Sequence, residues 1–377
     1  MFFINNLVVF FGGKSPEREI SVITGLLTLN SVNGERFNVL PVYVNGDGIF
    51  YSGELLKNIS FYKSPDFSKL YKVVFLPGER KIILTKKRKR IIVDVYCAIN
   101  CMHGRGGEDG SLVGLLRLCS IPFVSPDMYA SALAIDKDFT KITLAAMQIE
   151  SAPYLRVKRQ SFFERNEAYI KFIERKIGFP LIIKPARLGS SIGIKKVDDK
   201  AQLFEGLCEA FNYDDKVICE KYLVGSRDLN CAVYSLGEQI FVSEIEEAAK
   251  KEDILSFTDK YGGVEKAVGN ERMRPTDLTK EQIDLIKTTS KRLYRELDFT
   301  SIIRFDFLLS EGKVYLNEIN AVPGSMAYYF FCDKISEFSE LIDKLVEDAI
   351  SRKRMEDNYK TFYNSDLLYR SYSGIKK

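Results

Sequence analysis

The amino-acid sequence predicts an α/β (α+β) protein whose N-terminal part contains a parallel sheet. An apolar, strand-like run at residues 7–11 leads into glycines and a helical segment at residues 21–30. A second apolar run, at residues 93–102, leads into another glycine-rich loop. Strands that alternate with helices in this way form βα units of a parallel sheet. Residues 38–45 and 72–76 are predicted to supply further strands of that sheet.

Length and charge restrict the function classes. A chain of 377 residues is too long for one ordinary core, so we expect two or three domains. The formal net charge of +4 is small for this length and gives no argument for nucleic acid as a partner. The basic run at residues 86–90 lies between two strand-like segments, which predicts a solvated hairpin tip.

The cysteines and the apolar runs indicate the compartment. The seven cysteines are an odd, scattered set, which argues against a disulfide framework and favours a reducing cytoplasm. Cys97 and Cys101 lack a second thiol pair and have only His103 nearby, so we expect core thiols and no zinc site. No apolar run is long enough to cross a bilayer, and residues 1–11 lack the features of a signal peptide. We therefore expect a cytoplasmic protein with no membrane partner.

The first glycine-rich loop, at residues 12–20, resembles two nucleotide-binding motifs without matching either. Its Gly-Lys-Ser sequence lacks the earlier glycine of a P-loop, because Val8 stands at that position. It also lacks the Gly-x-Gly-x-x-Gly motif that a dinucleotide-dependent oxidoreductase would need. Glu17 and Glu19 stand at a predicted helix start, where the helix dipole favours acids. A strand-to-helix loop is equally a place where ligands bind in open α/β sheets.

The second glycine-rich loop, at residues 103–111, carries His103, the only histidine of the chain. Its place at the carboxyl end of a predicted strand favours contact with a ligand, while a structural histidine is the alternative. The chain has no Gly-x-Ser-x-Gly elbow and no other histidine, which argues against a Ser-His-Asp hydrolase.

The composition changes after residues 121–126, which suggests a domain boundary, and residues 130–149 are predicted to form one helix. A buried-type strand then ends at Lys184, and a lysine there needs an anionic partner. The Gly-Ser-Ser-Ile-Gly loop that follows offers N–H groups and hydroxyls suited to nucleotide phosphates. Residues 217–223 predict a strand and a hinge that would suit an adenine ring.

The C-terminal part of the chain is predicted to contain a long loop, two helices and a polar tail. Residues 244–263 are polar and poorly periodic, which predicts a long lid-like loop. Residues 281–297 and 334–350 predict helices. The polar, tyrosine-rich residues 353–377 are predicted to be partly disordered.

Residues 303–320 predict a β-hairpin, because apolar and polar residues alternate on both sides of a Ser-Glu-Gly turn. A three-residue loop would pair Leu309 with Lys313. That register would place Arg304 opposite Glu318 on one face of the hairpin.

Polar residues share that face of the hairpin: Asp306, Glu318 and Asn320. Two carboxylates held together repel each other unless a positive charge lies between them, and all-oxygen ligands favour a hard cation such as Mg²⁺. Mg²⁺ in turn implies phosphate. The alternative interpretation is a surface hairpin with solvated charges.

Taken in order, these segments resemble the D-alanine–D-alanine ligases of the ATP-grasp superfamily, from residue 7 to about residue 324. Each motif is weak alone, and the ordered set is specific. The motifs are Phe-Gly-Gly-Lys-Ser-Pro-Glu-Arg-Glu-Ile-Ser, His-Gly-Arg-Gly-Gly-Glu-Asp-Gly, Ser-Ala-Leu-Ala-Ile-Asp-Lys, Lys-Pro-Ala-Arg-Leu-Gly-Ser-Ser-Ile-Gly, Lys260-Tyr261, Arg-Phe-Asp-Phe and Asn-Glu-Ile-Asn followed by Pro-Gly.

The resemblance implies an ATP-grasp fold preceded by an N-terminal Rossmann-like domain. It divides the chain into an N-terminal domain at residues 1–125, a central ATP-grasp subdomain at 126–224 and a C-terminal subdomain at 225–377. It also implies a homodimer formed through the N-terminal domain.

The resemblance further implies a role for each candidate site residue. ATP would be held at its phosphates and its nucleoside by Lys137, Lys184, Ser191, Glu220, Lys221, Leu223, Asp228 and Lys260. Two Mg²⁺ ions, or Mn²⁺ in their place, would be bound by Asp306, Glu318 and Asn320. The first D-alanine would contact Glu17, His103, Ser190 and Tyr261, and developing negative charge would be stabilised by Arg304 and the Gly324 N–H.

The implied reaction is ATP-dependent ligation of two D-alanines through an acylphosphate, for peptidoglycan precursor synthesis. Tyr329 falls near the position where the family has a small hydroxyl residue, and Phe257 departs from the family's lid sequence. A second substrate such as D-serine, D-lactate or another amine therefore remains an alternative. A further alternative is a non-catalytic nucleotide-binding module, although retention of the candidate metal-binding carboxylates argues against it.

Overall fold

The computed structural model describes residues 5–248, 274–363 and 365. The strands are β1 (Asn5–Gly12), β2 (Phe37–Val44), β3 (Phe50–Ser52), β4 (Tyr71–Leu76), β5 (Lys81–Lys86), β6 (Lys89–Asp94), β7 (Cys97–Asn100), β8 (Phe123–Val124), β9 (Tyr154–Lys158), β10 (Leu181–Pro185), β11 (Lys195–Val197), β12 (Lys216–Lys221), β13 (Arg227–Leu236), β14 (Gln239–Val242), β15 (Glu246–Glu247), β16 (Ile303–Ser310) and β17 (Lys313–Asn320). The helices are α1 (Arg18–Ser31), α2 (Ser111–Leu118), α3 (Met128–Ile135), α4 (Lys137–Ala146), α5 (Arg159–Glu164), α6 (Asn166–Lys176), α7 (Lys200–Ala210), α8 (Lys280–Glu296) and α9 (Ile335–Asp357).

The first sheet has the strand order β6-β5-β4-β3-β2-β1-β7-β8. Strands β2, β1, β7 and β8 are parallel, so the predicted Rossmann-like parallel sheet is confirmed for this part. The strands from β3 to β6 extend it as an antiparallel meander. The basic run lies at the β5–β6 hairpin, as predicted.

Helix α1 lies very close to strand β1. A Cβ atom on Gly25 would lie 2.4 Å from the ring of Phe11, so no larger residue fits between the helix and the sheet. In the first turn of α1, the hydroxyl oxygen of Ser21 accepts a hydrogen bond from the N–H of Gly12 at 2.8 Å. This bond holds the start of α1, and with it Glu17, at the carboxyl end of β1.

The prediction of one helix over residues 130–149 is wrong, because α3 and α4 are separated at Asp136. Asp136 has an extended backbone, and its carboxylate accepts hydrogen bonds from the N–H groups of Asp138 and Phe139. The same carboxylate lies 2.6 Å from Nζ of Lys216 in β12. Helix α3 ends at this point because the Asp136 side chain caps α4 and binds Lys216.

The second sheet, β11-β10-β12-β9, is antiparallel throughout. The third sheet has the order β14-β13-β16-β17, with β15 also paired to β13. The second sheet carries Lys184 and Glu220, and the third carries Asp306 and Glu318.

The predicted register of the β16–β17 hairpin is wrong. The loop has two residues, Glu311 and Gly312, both with positive φ, and Ser310 therefore pairs with Lys313. A β-bulge between Asp306 and Phe307 shifts the register again. As a result Arg304 lies opposite Asn320, and Asp306 lies opposite Glu318.

Helix α9 extends to Asp357 and so runs beyond the predicted end at residue 350. Its apolar face packs into the same core as α1 and β1, and Arg36 bonds to both Asp343 and Glu347. The C-terminal helix is thereby joined to the N-terminal sheet. Most of the predicted disordered tail, residue 364 and residues 366–377, lies outside the described part of the chain, as does most of the predicted lid loop.

All seven cysteines are free thiols, and six of them are buried. Burial raises the pKa of the thiols of Cys97 and Cys101 to about 12. Both belong to the core, as expected from their spacing. Of the helices that the structure describes, none combines the length and the apolar character needed to span a membrane.

Candidate active site

Three loops meet at the carboxylate of Glu17. The hydroxyl of Ser190 donates a hydrogen bond to Oε1 of Glu17 at 2.5 Å. A Cβ atom on Gly104 would lie 2.7 Å from Oε2, and one on Gly189 would lie 2.8 Å from Oε1. The glycines therefore allow the second glycine loop and the Gly-Ser-Ser loop to approach this acid directly.

Glu17 is buried, with 4% of its surface exposed, and burial raises the pKa of its carboxyl group. The charge of Glu108 raises the pKa further, while Ser190, His103 and Lys137 oppose the shift. Within residues 5–248 and 274–363, Oε2 of Glu17 accepts no hydrogen bond. A buried carboxylate oxygen without a donor fits a cationic ligand such as an ammonium group.

The raised pKa of Glu17 gives a testable effect on stability. Ionisation of a carboxyl whose pKa is raised by folding costs stability, and the cost appears as the pH rises from the unfolded-state pKa to the folded-state pKa. We expect Glu17→Gln to raise the melting temperature near pH 7 and to have little effect near pH 4. Thermal unfolding at a series of pH values measures this difference.

Glu19→Gln is the matched control, because Glu19 is an exposed acid in the first turn of the same helix. Its melting temperature should follow that of the unaltered chain at every pH. A Glu17→Gln protein that is less stable near pH 7, or a difference that does not change with pH, would contradict the assignment.

His103 is buried beside Glu17, and its two ring nitrogens face different partners. Nε2 lies 3.0 Å from the hydroxyl oxygen of Thr24 in α1. Nδ1 lies 3.9 Å from Oε1 of Glu108 on the same glycine loop. The predicted substrate residues Glu17, His103 and Ser190 are thus brought together, whereas Tyr261 lies outside the described residues.

Lys137, at the start of α4, connects the Gly-Ser-Ser loop to the hairpin acids. Its Nζ donates to the carbonyl of Leu188 at 2.6 Å and lies 3.7 Å from Oε2 of Glu318. Its main-chain N–H donates to the carbonyl of Ala186. A lysine that contacts both a polar loop and a carboxylate is well placed for a polyphosphate.

Lys184 belongs to a buried charge cluster that also contains Glu220, Lys141 and Asn317. Nζ of Lys184 lies 3.0 Å from Oε2 of Glu220, and Nζ of Lys141 lies 3.4 Å from Oε1. Nζ of Lys184 also donates to Oδ1 of Asn317, the residue next to Glu318. The cluster therefore supplies the anionic partner that the sequence required for Lys184.

Lys141 and Asn317 were missed by the sequence analysis. Lys141 is one helical turn after Lys137 on α4, and this spacing was the available signal. Burial lowers the pKa of Lys141, and the charge of Glu220 acts in the opposite direction. Asn317 is positioned by the β-bulge, which the alternation pattern did not predict.

In the predicted adenine hinge, the side chains of Glu220 and Lys221 already have partners within the protein. The Glu220 side chain is engaged by two lysines, and the Lys221 side chain donates to the carbonyl of Phe179. An adenine contact from these residues would therefore come from the main chain, near Leu223. Asp228 lies on β13 opposite Leu308, and Lys260 falls outside the described residues.

The hairpin face carries the predicted oxygen donors in a charged network. The guanidinium of Arg304 donates twice to Asp306, at 2.7 and 2.8 Å, and the side-chain amide of Asn320 donates to Oδ2 of Asp306 at 2.8 Å. Glu318 lies across the strand pair from Asp306. Two carboxylates and an amide oxygen fit a hard divalent cation, and the described residues contain no larger cluster of acids, cysteines and histidines.

A left-handed turn follows the hairpin. Gly324 begins a 3₁₀ turn in which Ser325, Met326 and Ala327 all have positive φ, between 46° and 53°. This conformation is strained for residues other than glycine, and such strain is concentrated at functional sites. The three residues are buried, and the N–H of Ser325 donates to the hydroxyl oxygen of Thr24 at 3.0 Å.

Comparisons with known families cover most of the chain. The sequence model described as D-ala D-ala ligase N-terminus matches residues 6–126, and the one described as D-ala D-ala ligase C-terminus matches residues 143–347. The D-alanine–D-alanine ligase of Thermosipho africanus is 35% identical over 96% of this chain and 97% of that protein. The corresponding protein of Geobacillus kaustophilus is 32% identical over 91% and 94%.

Solved structures give the same family. The D-alanine–D-alanine ligase of Helicobacter pylori is similar with a TM-score of 0.74 and 27% identity, over 91% of this chain and 98% of that one. The VanG D-Ala:D-Ser ligase of Enterococcus faecalis is similar with a TM-score of 0.72 and 25% identity, over 93% and 99%. The matched models and the extent of these similarities show that the chain belongs to the D-alanine–D-alanine ligase family, within the ATP-grasp superfamily.

Proposed function

We propose that this protein is an ATP-dependent ligase that joins two D-alanines to D-alanyl-D-alanine for peptidoglycan precursor synthesis. The observation that carries the proposal is the contact between Glu17 and Ser190, which joins a carboxylate suited to an ammonium group to a loop suited to phosphates. Lys137 links the same loop to Glu318 on the hairpin. The names of the relatives, D-alanine–D-alanine ligase in each case, support the same activity.

ATP would lie between the second and third sheets, with its phosphates along Lys137, Lys184 and Ser191. Lys260 would add a contact from the lid. The main chain near Lys221 and Leu223, after Glu220, would hold the adenine ring, and Asp228 would bind the ribose. The buried pairing of Lys184 with Glu220 and Asn317 supports this placement, since it holds the ammonium group in a fixed position.

Asp306, Glu318 and Asn320 would hold two Mg²⁺ ions, or Mn²⁺ in their place. When bound, such ions neutralise the charge that develops on a transferring phosphoryl group. The donor set supports this assignment, because it consists of carboxylate and amide oxygens on one face of the strand pair. Arg304 holds Asp306 in orientation through two hydrogen bonds.

The reaction would proceed in two steps. A carboxylate oxygen of the first D-alanine, whose ammonium group is held by Glu17, forms a bond to the γ-phosphorus while the bond to the ADP oxygen breaks. The amine of the second D-alanine then forms a bond to the acyl carbon, loses a proton, and displaces phosphate. Arg304 and the Gly324 N–H would stabilise the tetrahedral oxyanion, and Tyr261 would assist from the lid.

The alternative to this function is a ligase of the same chemistry with a different second substrate. Tyr328 is buried and stacked on Phe338, and the ring of Tyr329 contacts that of Tyr328. In the sequence, Tyr329 falls near the position where the family has a small hydroxyl residue. The similarity to a D-Ala:D-Ser ligase supports D-serine as the alternative to D-alanine. A larger side chain at this position would change the pocket for the second substrate.

The test is a product assay with ATP, Mg²⁺ and either D-alanine alone or D-alanine with D-serine or D-lactate. We expect phosphate release with D-alanine alone and a product with the mass of the dipeptide. A product formed only from a mixed pair would support the alternative. No product from any pair, from a folded protein that binds ATP, would contradict the proposal and favour a non-catalytic module.

The resemblance also supports proposals on the compartment, the oligomeric state and the domain boundaries. We propose a cytoplasmic homodimer formed through the N-terminal domain, and a division of the chain into residues 1–125, 126–224 and 225–377. Light scattering at several protein concentrations tests the dimer. A mass that stays at that of one chain at all concentrations would contradict it.

A further inference from the structure

A single hydroxyl, that of Thr24, joins the histidine of the glycine loop to the left-handed turn after the hairpin. Thr24 lies on the buried face of α1, with 1% of its surface exposed. Its Oγ1 is 3.0 Å from Nε2 of His103 and 3.0 Å from the main-chain nitrogen of Ser325. These partners are 79 and 301 residues away in the sequence.

The donor and acceptor roles at this hydroxyl follow from its partners. The N–H of Ser325 can only donate, so Oγ1 of Thr24 accepts that bond. Among the hydrogen bonds of the described residues, Nε2 of His103 is the acceptor within reach of the hydroxyl proton of Thr24. A buried hydroxyl that donates there requires an unprotonated Nε2. The proton of a neutral imidazole would therefore be on Nδ1, the nitrogen that faces the carboxylate of Glu108 at 3.9 Å.

We propose that Thr24 is a positioning residue: its hydroxyl holds His103 as the neutral Nδ1–H tautomer and holds the Gly324–Ser325 peptide in the left-handed turn. His103 would then act by orientation, since Nε2 is engaged by Thr24 and is not free to exchange protons with a substrate. Three residues with positive φ need an external contact to hold them, and Thr24 supplies one at the first of them.

The single histidine makes the tautomer directly measurable. In the full-length protein labelled with ¹⁵N-histidine, one imidazole gives one pair of ring-nitrogen resonances. At a pH above the ordinary histidine pKa, we expect an unprotonated Nε2 and a protonated Nδ1. A protonated Nε2 in the unaltered protein would overturn the proposal, whether it came from the other tautomer or from the imidazolium form.

Substitution tests the role of the hydroxyl. Thr24→Val keeps the side-chain shape and removes the hydroxyl, so we expect a changed tautomer ratio, whereas Thr24→Ser should keep the original spectrum. Ser31→Ala is the control, because Ser31 is a buried residue of α1 whose hydroxyl donates to the carbonyl of Leu27 within the same helix. An unchanged imidazole spectrum in Thr24→Val would overturn the proposal.

The kinetic part of the test rests on the proposed function. We expect Thr24→Val to lower kcat about tenfold, as for one buried donor left unsatisfied, with the KM for ATP unchanged. Thr24→Ser should restore kcat, and a kcat that is equally low in Ser31→Ala would overturn the positioning role. If the unaltered chain forms no dipeptide, the proposed function fails while the imidazole spectra still test the role of Thr24.

Discussion

Glu318→Gln is expected to lower the rate of phosphate release by about a thousandfold or more, because loss of one metal-binding carboxylate removes several kcal/mol of charge stabilisation in the transition state. The change is isosteric, and Glu318 is only partly buried on β17, so the fold should persist. Steady-state phosphate release with ATP, Mg²⁺ and D-alanine measures the effect, and thermal unfolding checks the fold.

Glu311→Gln is the control for this prediction, because Glu311 is an exposed acid at the turn of the same hairpin. Glu311→Gln removes one negative charge at the opposite end of the hairpin from Glu318. Its rate of phosphate release should match that of the unaltered chain. A Glu318→Gln protein with a near-normal rate would show that the hairpin acids do not bind the metal.

Glu220→Gln is expected to lower the free energy of unfolding by about 3–5 kcal/mol, because it leaves two buried lysines without their carboxylate. Glu220 is 2% exposed and contacts Lys141 and Lys184. Burial acts to raise the pKa of Glu220, but the charges of the two lysines outweigh it, and the pKa lies below its ordinary value. Urea unfolding near pH 7 measures the loss.

The pH dependence of this loss has a defined sign. A carboxyl whose pKa is lowered by folding contributes stability that is complete above its unfolded-state pKa and is lost as the pH falls through its folded-state pKa. The difference between the two proteins should therefore shrink in acid. Glu209→Gln is the control, since Glu209 forms an exposed ion pair with Lys195 and should contribute little. Equal losses in both variants would contradict the role of the buried cluster.

The sequence predicted the elements that are specified by local patterns. The parallel strands of the first sheet and helix α8 have periodic apolar residues, and both occur where expected. The break between α3 and α4 was not predictable in this way. It depends on Asp136 binding Lys216, a contact between residues that are 80 positions apart.

The sequence predicted which residue types form the site, but not how those residues are arranged. Glycine loops and hairpin acids can be recognised from motifs, but the register of the hairpin depends on a two-residue turn and a bulge. The one-turn spacing of Lys141 from Lys137 does not by itself identify a site residue, and Thr24 has no local signal that separates it from ordinary helix residues. Their partners, Glu220 and Ser325, come from other sheets and turns, so only the folded chain brings them together.

The most direct test of the central claim is isotope transfer from D-alanine to phosphate. If the first carboxylate attacks the γ-phosphorus, one of its oxygens leaves with the phosphate when the second amine displaces it. With D-alanine labelled with ¹⁸O in both carboxylate oxygens, we predict one ¹⁸O atom in each phosphate released. Dipeptide formation with unlabelled phosphate would contradict the acylphosphate route, and with it the account of this site.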